Sequence, residues 1–94
     1  MTHEIKLTEN FALPVLSGEK NFEVRFNDRG YQRGDYVKFN VVGENSLADE
    51  NLVEQMREKL YEITYVLNGW GIEDGYVVFG IKEVKTPVKA EREE

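Results

Sequence analysis

The segment KNFEVRFNDRGYQRGDYVKF, residues 20–39, places charged side chains among apolar ones at the alternating spacing of a β-strand. Lys20, Glu23 and Arg25 are its strongest candidates for chemistry, because a strand puts Glu23 and Arg25 on one face. There they can form an ion pair or contact one ligand jointly: a carboxylate accepts from the amino group of a base, and Arg and Lys hold phosphate or carbonyl oxygens. The alternative is a solvated strand face whose ion pair contributes at most about 1 kcal/mol.

Five further polar or aromatic positions allow both a functional and a structural interpretation. If Lys20, Glu23 and Arg25 line a binding cleft, Arg29 could project into its mouth. Asn27, Asp28 and Arg29 together are also typical of a capped turn. Tyr76 and Trp70 could stack on a base, although an aromatic residue beside a glycine loop more often packs against its neighbours. Ligand contacts from Asn27, Arg29 and Tyr76 are therefore hypotheses.

The sequence offers little for metal or cofactor chemistry. His3 is the only histidine and there are no cysteines, so we predict no metal site and no cofactor. His3 is left with a hydrogen-bonding role at the surface or in the cleft. Gly34 and Asp35 are interpreted as a turn that enters a strand.

The charge of the chain limits its partners. A net charge of −6 and a pI near 4.8 predict repulsion from bulk DNA, RNA and anionic membrane. The charge is uneven, however: residues 18–38 hold five basic and four acidic residues, whereas residues 43–75 hold two basic and eight acidic ones. Local recognition of a phosphate or a base therefore remains open, while non-specific coating of nucleic acid does not.

Length and composition predict one domain in a reducing compartment. Ninety-four residues supply a single modest core, which we place in residues 1–85, with 86–94 as a flexible polar tail. No apolar run approaches the roughly 20 residues of a membrane helix, and the N-terminus lacks the features of a signal peptide. We therefore expect a cytoplasmic protein that does not engage membranes.

Alternation and capping residues predict the elements that position the candidates. In the strand over 21–27, Phe22, Val24 and Phe26 face one way and the polar residues the other. The other predicted strands are 3–7, 33–42, 59–68 and 76–84, with buried faces that include Val37, Phe39 and Val41, then Val77, Phe79 and Ile81.

Two short helices are predicted between the strands. The first follows Thr8 as a possible N-cap and stops at Gly18, with Pro14 either kinking it or opening one short turn. The second covers about 47–57, after Ser46 and Asp49 at the spacing of a capping box. Strands with few helices favour an α+β fold built on a small, partly closed, mixed β-barrel.

Ordered motifs in these elements resemble one known family. The segments SGEKNFEVRFNDRGYQRGDYVKF and EITYVLNGWGIEDGYVVFGIK are similar to the ASCH branch of the PUA-like superfamily, and closest to a bacterial and phage group of unknown function. The group's motifs fall on Gly18, Lys20, Glu23 and Arg25; on Asn27, Asp28 and Arg29; on Gly34 and Asp35; and on Gly75, Tyr76, Val77 and Val78. The resemblance covers residues 3–84. It departs from the family pattern at Pro14 and in the long acidic stretch 44–58.

The resemblance implies a pseudo-barrel whose polar cleft binds RNA or a nucleotide. Some ASCH relatives are amidohydrolases that remove the acetyl group of N4-acetylcytidine, with a Lys followed three residues later by a nucleophilic Thr. Here that position is Glu23, and a carboxylate cannot replace a hydroxyl nucleophile in the same mechanism. The enzymatic alternative is therefore hydrolysis of an acyl-modified nucleoside with Lys20 and Glu23 as catalytic candidates and Glu23 as general base. A third hypothesis is a protein-interaction module that uses the acidic 44–58 segment.

Overall fold

The computed structural model describes residues 1–43 and 47–85 as five strands and two helices. The predicted tail 86–94 and Ser46 of the predicted capping box lie outside the described residues. The elements are β1 (Thr2–Thr8), α1 (Glu9–Ser17), β2 (Phe22–Phe26), β3 (Tyr36–Val42), α2 (Glu50–Arg57), β4 (Tyr61–Leu67) and β5 (Tyr76–Glu83). Each predicted strand and helix is present, with ends that differ by one to three residues at most boundaries.

The strands form one curled, mixed sheet in the order β1-β3-β4-β5-β2. β1 runs parallel to β3, and the other neighbours are antiparallel. The two edge strands meet where the Arg25 guanidinium donates from Nη2 to the backbone carbonyl of Lys6 over 2.6 Å. The result is a five-stranded half-barrel with two helices, which is consistent with the predicted small α+β barrel.

The core lies on the inner face of this half-barrel. The predicted inward residues of β3 and β5 are all buried, and α2 adds Leu52 and Met56 to them. Burial of apolar surface stabilises the folded state by about 25 cal/mol per Å², so this cluster is the main source of stability. Its members on the strands are Ile5, Leu7, Val37, Phe39, Val41, Tyr61, Ile63, Val77, Phe79 and Ile81.

Strand β2 reverses the expected relation between polarity and burial. The alternation is as predicted, but Glu23 is only 3% exposed, whereas Phe22, Val24 and Phe26 are exposed. The cause is the pairing with β5, in which Glu23 lies opposite the core residue Phe79. Cross-strand partners point to the same face of a sheet, so Glu23 must point inward. A solvated strand face is therefore the wrong description of Glu23.

Both helices lie where they were predicted, but only α2 has a side-chain cap at its N-terminus. α1 runs continuously through Pro14, although a proline inside a helix cannot donate its hydrogen bond, and it ends at Gly18 with φ 85°. Thr8 occupies the N-cap position of α1 without a capping hydrogen bond from its side chain. Asp49 caps α2, since its side chain accepts from the backbone N–H groups of Asn51 and Leu52. Neither α1 nor α2 is long and apolar enough to cross a membrane, and residues 1–43 and 47–85 contain no other helix.

Candidate functional site

Lys20, Glu23 and Arg25 form a connected group of charges, here called the charge triad, at the edge of the half-barrel. Lys20 Nζ pairs with Glu23 Oε2, and Arg25 Nε donates to Glu23 Oε1 over 2.9 Å. The side chain of Glu23 is 4% exposed, that of Lys20 19% and that of Arg25 24%. Two cations around one anion leave the triad a net charge of +1. This local excess of positive charge lies in a protein that is acidic as a whole.

The backbone around the triad explains why its members converge. Lys20 lies between Gly18, where α1 ends, and β2, and its Nζ also donates to the Phe22 carbonyl over 2.9 Å. Arg25 follows Glu23 by two residues on the same strand face. Its guanidinium reaches across the open side of the half-barrel to the carbonyl of Lys6. Arg25 therefore holds the carboxylate and ties β2 to β1 at the same time.

A cavity of about 570 Å³ opens beside the triad, between β1, the start of α1 and β2. Its volume is typical of small-molecule sites in proteins. The three charges converge at one side, and most of the remaining wall is apolar. The residues that line it besides the triad are Lys6, Leu7, Thr8, Phe11, Val24 and Val42.

Aromatic rings flank the cationic end of the site. Lys20 Nζ lies 5.0 Å from the ring centre of Phe11 and 5.1 Å from that of Phe22, within the range of cation–π attraction. Phe11 lines the cavity and is partly exposed. The site thus offers a ring face, two cationic donors and one carboxylate within a single hollow.

Arg29 lies in a second hollow on the other side of the Arg25 bridge. This hollow measures about 470 Å³ and is lined by Arg25 and Arg29 together with Asp28 and Tyr31. Arg25 borders both hollows, since it also lines the cavity of the triad. The structure therefore places Arg29 next to the predicted site, separated from Lys20 and Glu23 by the guanidinium of Arg25.

Asn27 and Tyr76 do not share the triad's cavity. They line a different hollow of about 430 Å³, together with Glu73 and Asp74. The Asn27 side chain accepts a hydrogen bond from the backbone N–H of Tyr31 over 2.9 Å, which is the capped turn that the sequence also allowed. Of the six predicted contact residues, the structure thus brings Lys20, Glu23 and Arg25 together at one cavity, and it places Arg29 at the second hollow and Asn27 and Tyr76 at a third.

The sequence reasoning missed a polar pair formed by the buried His3 and the partly exposed Asp35, next to Tyr31 of the second hollow. The ring nitrogen Nε2 of His3 lies 2.8 Å from Asp35 Oδ2, and the His3 ring packs on Tyr31 with 4.8 Å between ring centres. The hydrogen bond from His3 holds the pKa of Asp35 below its ordinary value of 3.8, and burial raises the pKa of Tyr31. His3 is 4% exposed, so a surface role is wrong. The alternation of His3 with the core residue Ile5 was the available signal.

No group of three His, Cys, Asp or Glu side chains within 1–43 and 47–85 is arranged to hold a metal ion.

In a comparison with known families, residues 2–81 match a family model described as Domain of unknown function (DUF3850). No curated protein matches the chain.

Proposed function

The chain belongs to this family of unknown function, and we propose that it is an ASCH-type, PUA-like domain that binds a nucleotide or a short RNA element in the cavity of the charge triad. The single observation that carries the proposal is the convergence of Lys20, Glu23 and Arg25 on one half-open hollow. The ordered motifs that resemble the ASCH branch and the half-barrel sheet support the same assignment.

The walls of the cavity suit a planar base. Leu7, Val24 and Val42 supply apolar surface, and Phe11 supplies a ring on which a base can stack. Base–aromatic stacking contributes about 1–3 kcal/mol per base and tolerates different bases. A sugar or an aliphatic ligand would use the ring of Phe11 less well, so we favour a nucleobase.

The polar end of the cavity suits the edge of a base or a phosphate. Each oxygen of Glu23 has a second lone pair beyond the one that faces Lys20 or Arg25, and this lone pair can accept from an exocyclic amino group. Arg25 and Lys20 can donate to a carbonyl or phosphate oxygen. Because the triad is already internally paired, it requires no ligand to be stable, and a ligand joins an existing network.

The charge distribution limits the size of the ligand. Residues 43–75 carry most of the acidic excess, so a long nucleic acid is repelled outside the cavity. A mononucleotide or a few unpaired nucleotides avoid that repulsion. We therefore expect binding to depend weakly on salt, with about one phosphate contact at most.

The test is thermal shift with nucleosides, nucleotides and short single-stranded RNAs on the wild type and two matched variants. A ligand at 100 times its Kd adds about 2.7 kcal/mol to the stability of the folded protein. Arg25→Lys keeps the charge but loses the planar fork, so we expect at least a tenfold loss of affinity. Arg57→Lys makes the same change in an exposed ion pair on α2 and should bind like the wild type. Equal binding by R25K, or no shift of the wild type with any probe at millimolar concentration, overturns the proposal.

Hydrolysis of an acyl-modified nucleoside is the second candidate, because Lys20 and Glu23 are in direct contact. Glu23 Oε2 already accepts from Lys20 and Oε1 from Arg25, so a catalytic water molecule would have to use the same second lone pairs that a bound base would use. Turnover therefore distinguishes the two functions. We expect no product from N4-acetylcytidine at high enzyme concentration; product that disappears in Lys20→Met would establish the enzymatic function instead.

A further inference from the structure

The outer face of β2, β5 and β4 is an apolar surface, here called the outer apolar face. In each antiparallel pair, cross-strand partners point to the same side of the sheet. Val24 lies opposite Val78, which in turn lies opposite Leu67, so these three form one apolar row across the sheet. Phe26 lies opposite Tyr76 and extends the surface toward the loop that joins β4 to β5. The outer apolar face consists of Phe22, Val24, Phe26, Tyr65, Leu67, Tyr76 and Val78.

The exposed area of this face is large for so small a protein. Phe22, Phe26 and Tyr65 are 42%, 55% and 59% exposed, which corresponds to about 300 Å² at roughly 200 Å² for a whole aromatic side chain. The exposed aliphatic residues Val24 and Leu67 add to this area. The largest apolar patch of a typical monomer measures about 300–600 Å² and is often functional.

The chemistry around the face argues against a nucleic acid or the chain's own C-terminal residues as the occupant. Glu73 and Asp74 are exposed in the loop next to Tyr76, and an anionic backbone would be repelled there. Residues 86–94 contain only Pro87, Val88 and Ala90 as apolar side chains. Three small side chains cannot cover an aromatic surface of this size.

We propose that the outer apolar face is the contact surface of a homodimer, in which a second copy of this chain covers it by a two-fold axis. Two such faces together bury about 600 Å² from Phe22, Phe26 and Tyr65 alone, and the aliphatic residues of the face bring this toward the roughly 1,000 Å² expected of a biological interface. A two-fold contact pairs the same patch on both copies and leaves no apolar area open for further association. The triad's cavity is lined by residues of β1, α1 and β2 and shares only Val24 with the outer apolar face, so the charge triad itself lies outside the proposed contact.

The test is the molar mass of the protein in solution, measured by size-exclusion chromatography with light scattering and by sedimentation equilibrium. Protein concentrations of ~1–100 µM cover the weak end of the dissociation constants of interfaces of this size. The wild type should weigh twice the 10.9 kDa of one chain. Tyr65→Lys puts a charge on the β4 side of the face without touching the triad's cavity, and it should raise the dissociation constant at least 100-fold. Leu67→Lys on the same strand is the second variant, in case Y65K does not fold.

Leu13→Lys is the matched control, because Leu13 is an apolar residue on α1 that is also exposed but lies outside the outer apolar face. Dimeric wild type and L13K together with monomeric, folded Y65K or L67K support the proposal. A wild type that weighs 10.9 kDa throughout, dimers that survive in both face variants, or an equal loss in L13K each overturn it. Arg25→Lys should remain dimeric, so a failure of ligand binding and a failure of dimerisation are separate results.

Discussion

Replacing Glu23 by Gln tests whether burial sets the energetic value of the charge triad. The substitution keeps the size of the side chain and removes its charge, so Lys20 and Arg25 lose their anionic partner. Breaking a fully buried ion pair costs about 3–5 kcal/mol, whereas an exposed pair contributes about 0–1 kcal/mol. Glu23 is almost completely buried, but Lys20 and Arg25 keep 19% and 24% of their side-chain exposure and can turn partly to water.

The expected loss therefore lies between these limits, at about 2 kcal/mol. In a domain of this length, such a loss lowers Tm by roughly 10 °C. The chain contains a matched control in Glu54→Gln. Glu54 pairs with Arg57 over 3.0 Å at the same i, i+3 spacing as Lys20 and Glu23, but both side chains are more than 60% exposed. We expect this control to cost no more than about 0.5 kcal/mol.

Urea unfolding of both variants at neutral pH, in low salt and in 1 M NaCl, measures the difference. Salt at 1 M shortens the Debye length to about 3 Å and screens exposed charges far more than buried ones. The effect of Glu54→Gln should disappear in high salt, and that of Glu23→Gln should persist. Equal losses in the two variants, or a Glu23→Gln loss that salt removes, would refute the account of the triad as a buried group.

Two titrating groups give further predictions. The Tyr61 hydroxyl is buried without a hydrogen-bond partner among the described residues, and burial raises its pKa to about 12. The folded state thus retains a proton that the unfolded chain loses near pH 10, so stability should fall as pH rises from 10 to 12. Tyr61→Phe should reduce this slope in urea titrations without lowering stability at pH 7, and the raised pKa of Tyr31 accounts for part of the slope that remains. A loss above about 1 kcal/mol at pH 7 would reveal a partner of the hydroxyl. The pKa of Asp35 is lowered by the hydrogen bond from His3. Its contribution is present above pH 3.8 and is lost as pH falls through the lower folded value. The stability difference between wild type and Asp35→Asn should therefore shrink in acid, and a difference that stays constant to pH 2 contradicts the pairing.

The sequence predicts the elements of this fold well because its strands alternate strictly. In β5, Val77, Phe79 and Ile81 are apolar at every second position, and all three are buried. Glycine marks the end of α1, since Gly18 adopts the left-handed backbone that other residues avoid. Local chemistry decides both features, so a single sequence contains enough information for them.

The orientation of β2 could not be predicted in the same way. Alternation shows which residues share a face but not which face points inward, and hydrophobicity alone favours burial of Val24 over Glu23. The deciding fact is a register between strands that are far apart in the chain, which sets Glu23 opposite Phe79 and Arg25 opposite Val77. Non-local pairing of this kind is not encoded in the spacing of residues within one segment. The separation of Tyr76 from the triad has the same origin, because Tyr76 lies on the outer side of its strand.

The register of β2 links the two proposals. A slip of one residue would bury Phe22, Val24 and Phe26 and return Glu23 and Arg25 to water, since side chains alternate with a period of two. That arrangement would leave Glu23 hydrated and bury the three apolar side chains. In an isolated chain, the free energy of burial therefore favours the slipped register. The observed register instead gives up apolar burial and encloses a carboxylate between two cations. A ligand held by the triad and a second chain on the outer apolar face would each recover part of this loss, on opposite sides of the same strand.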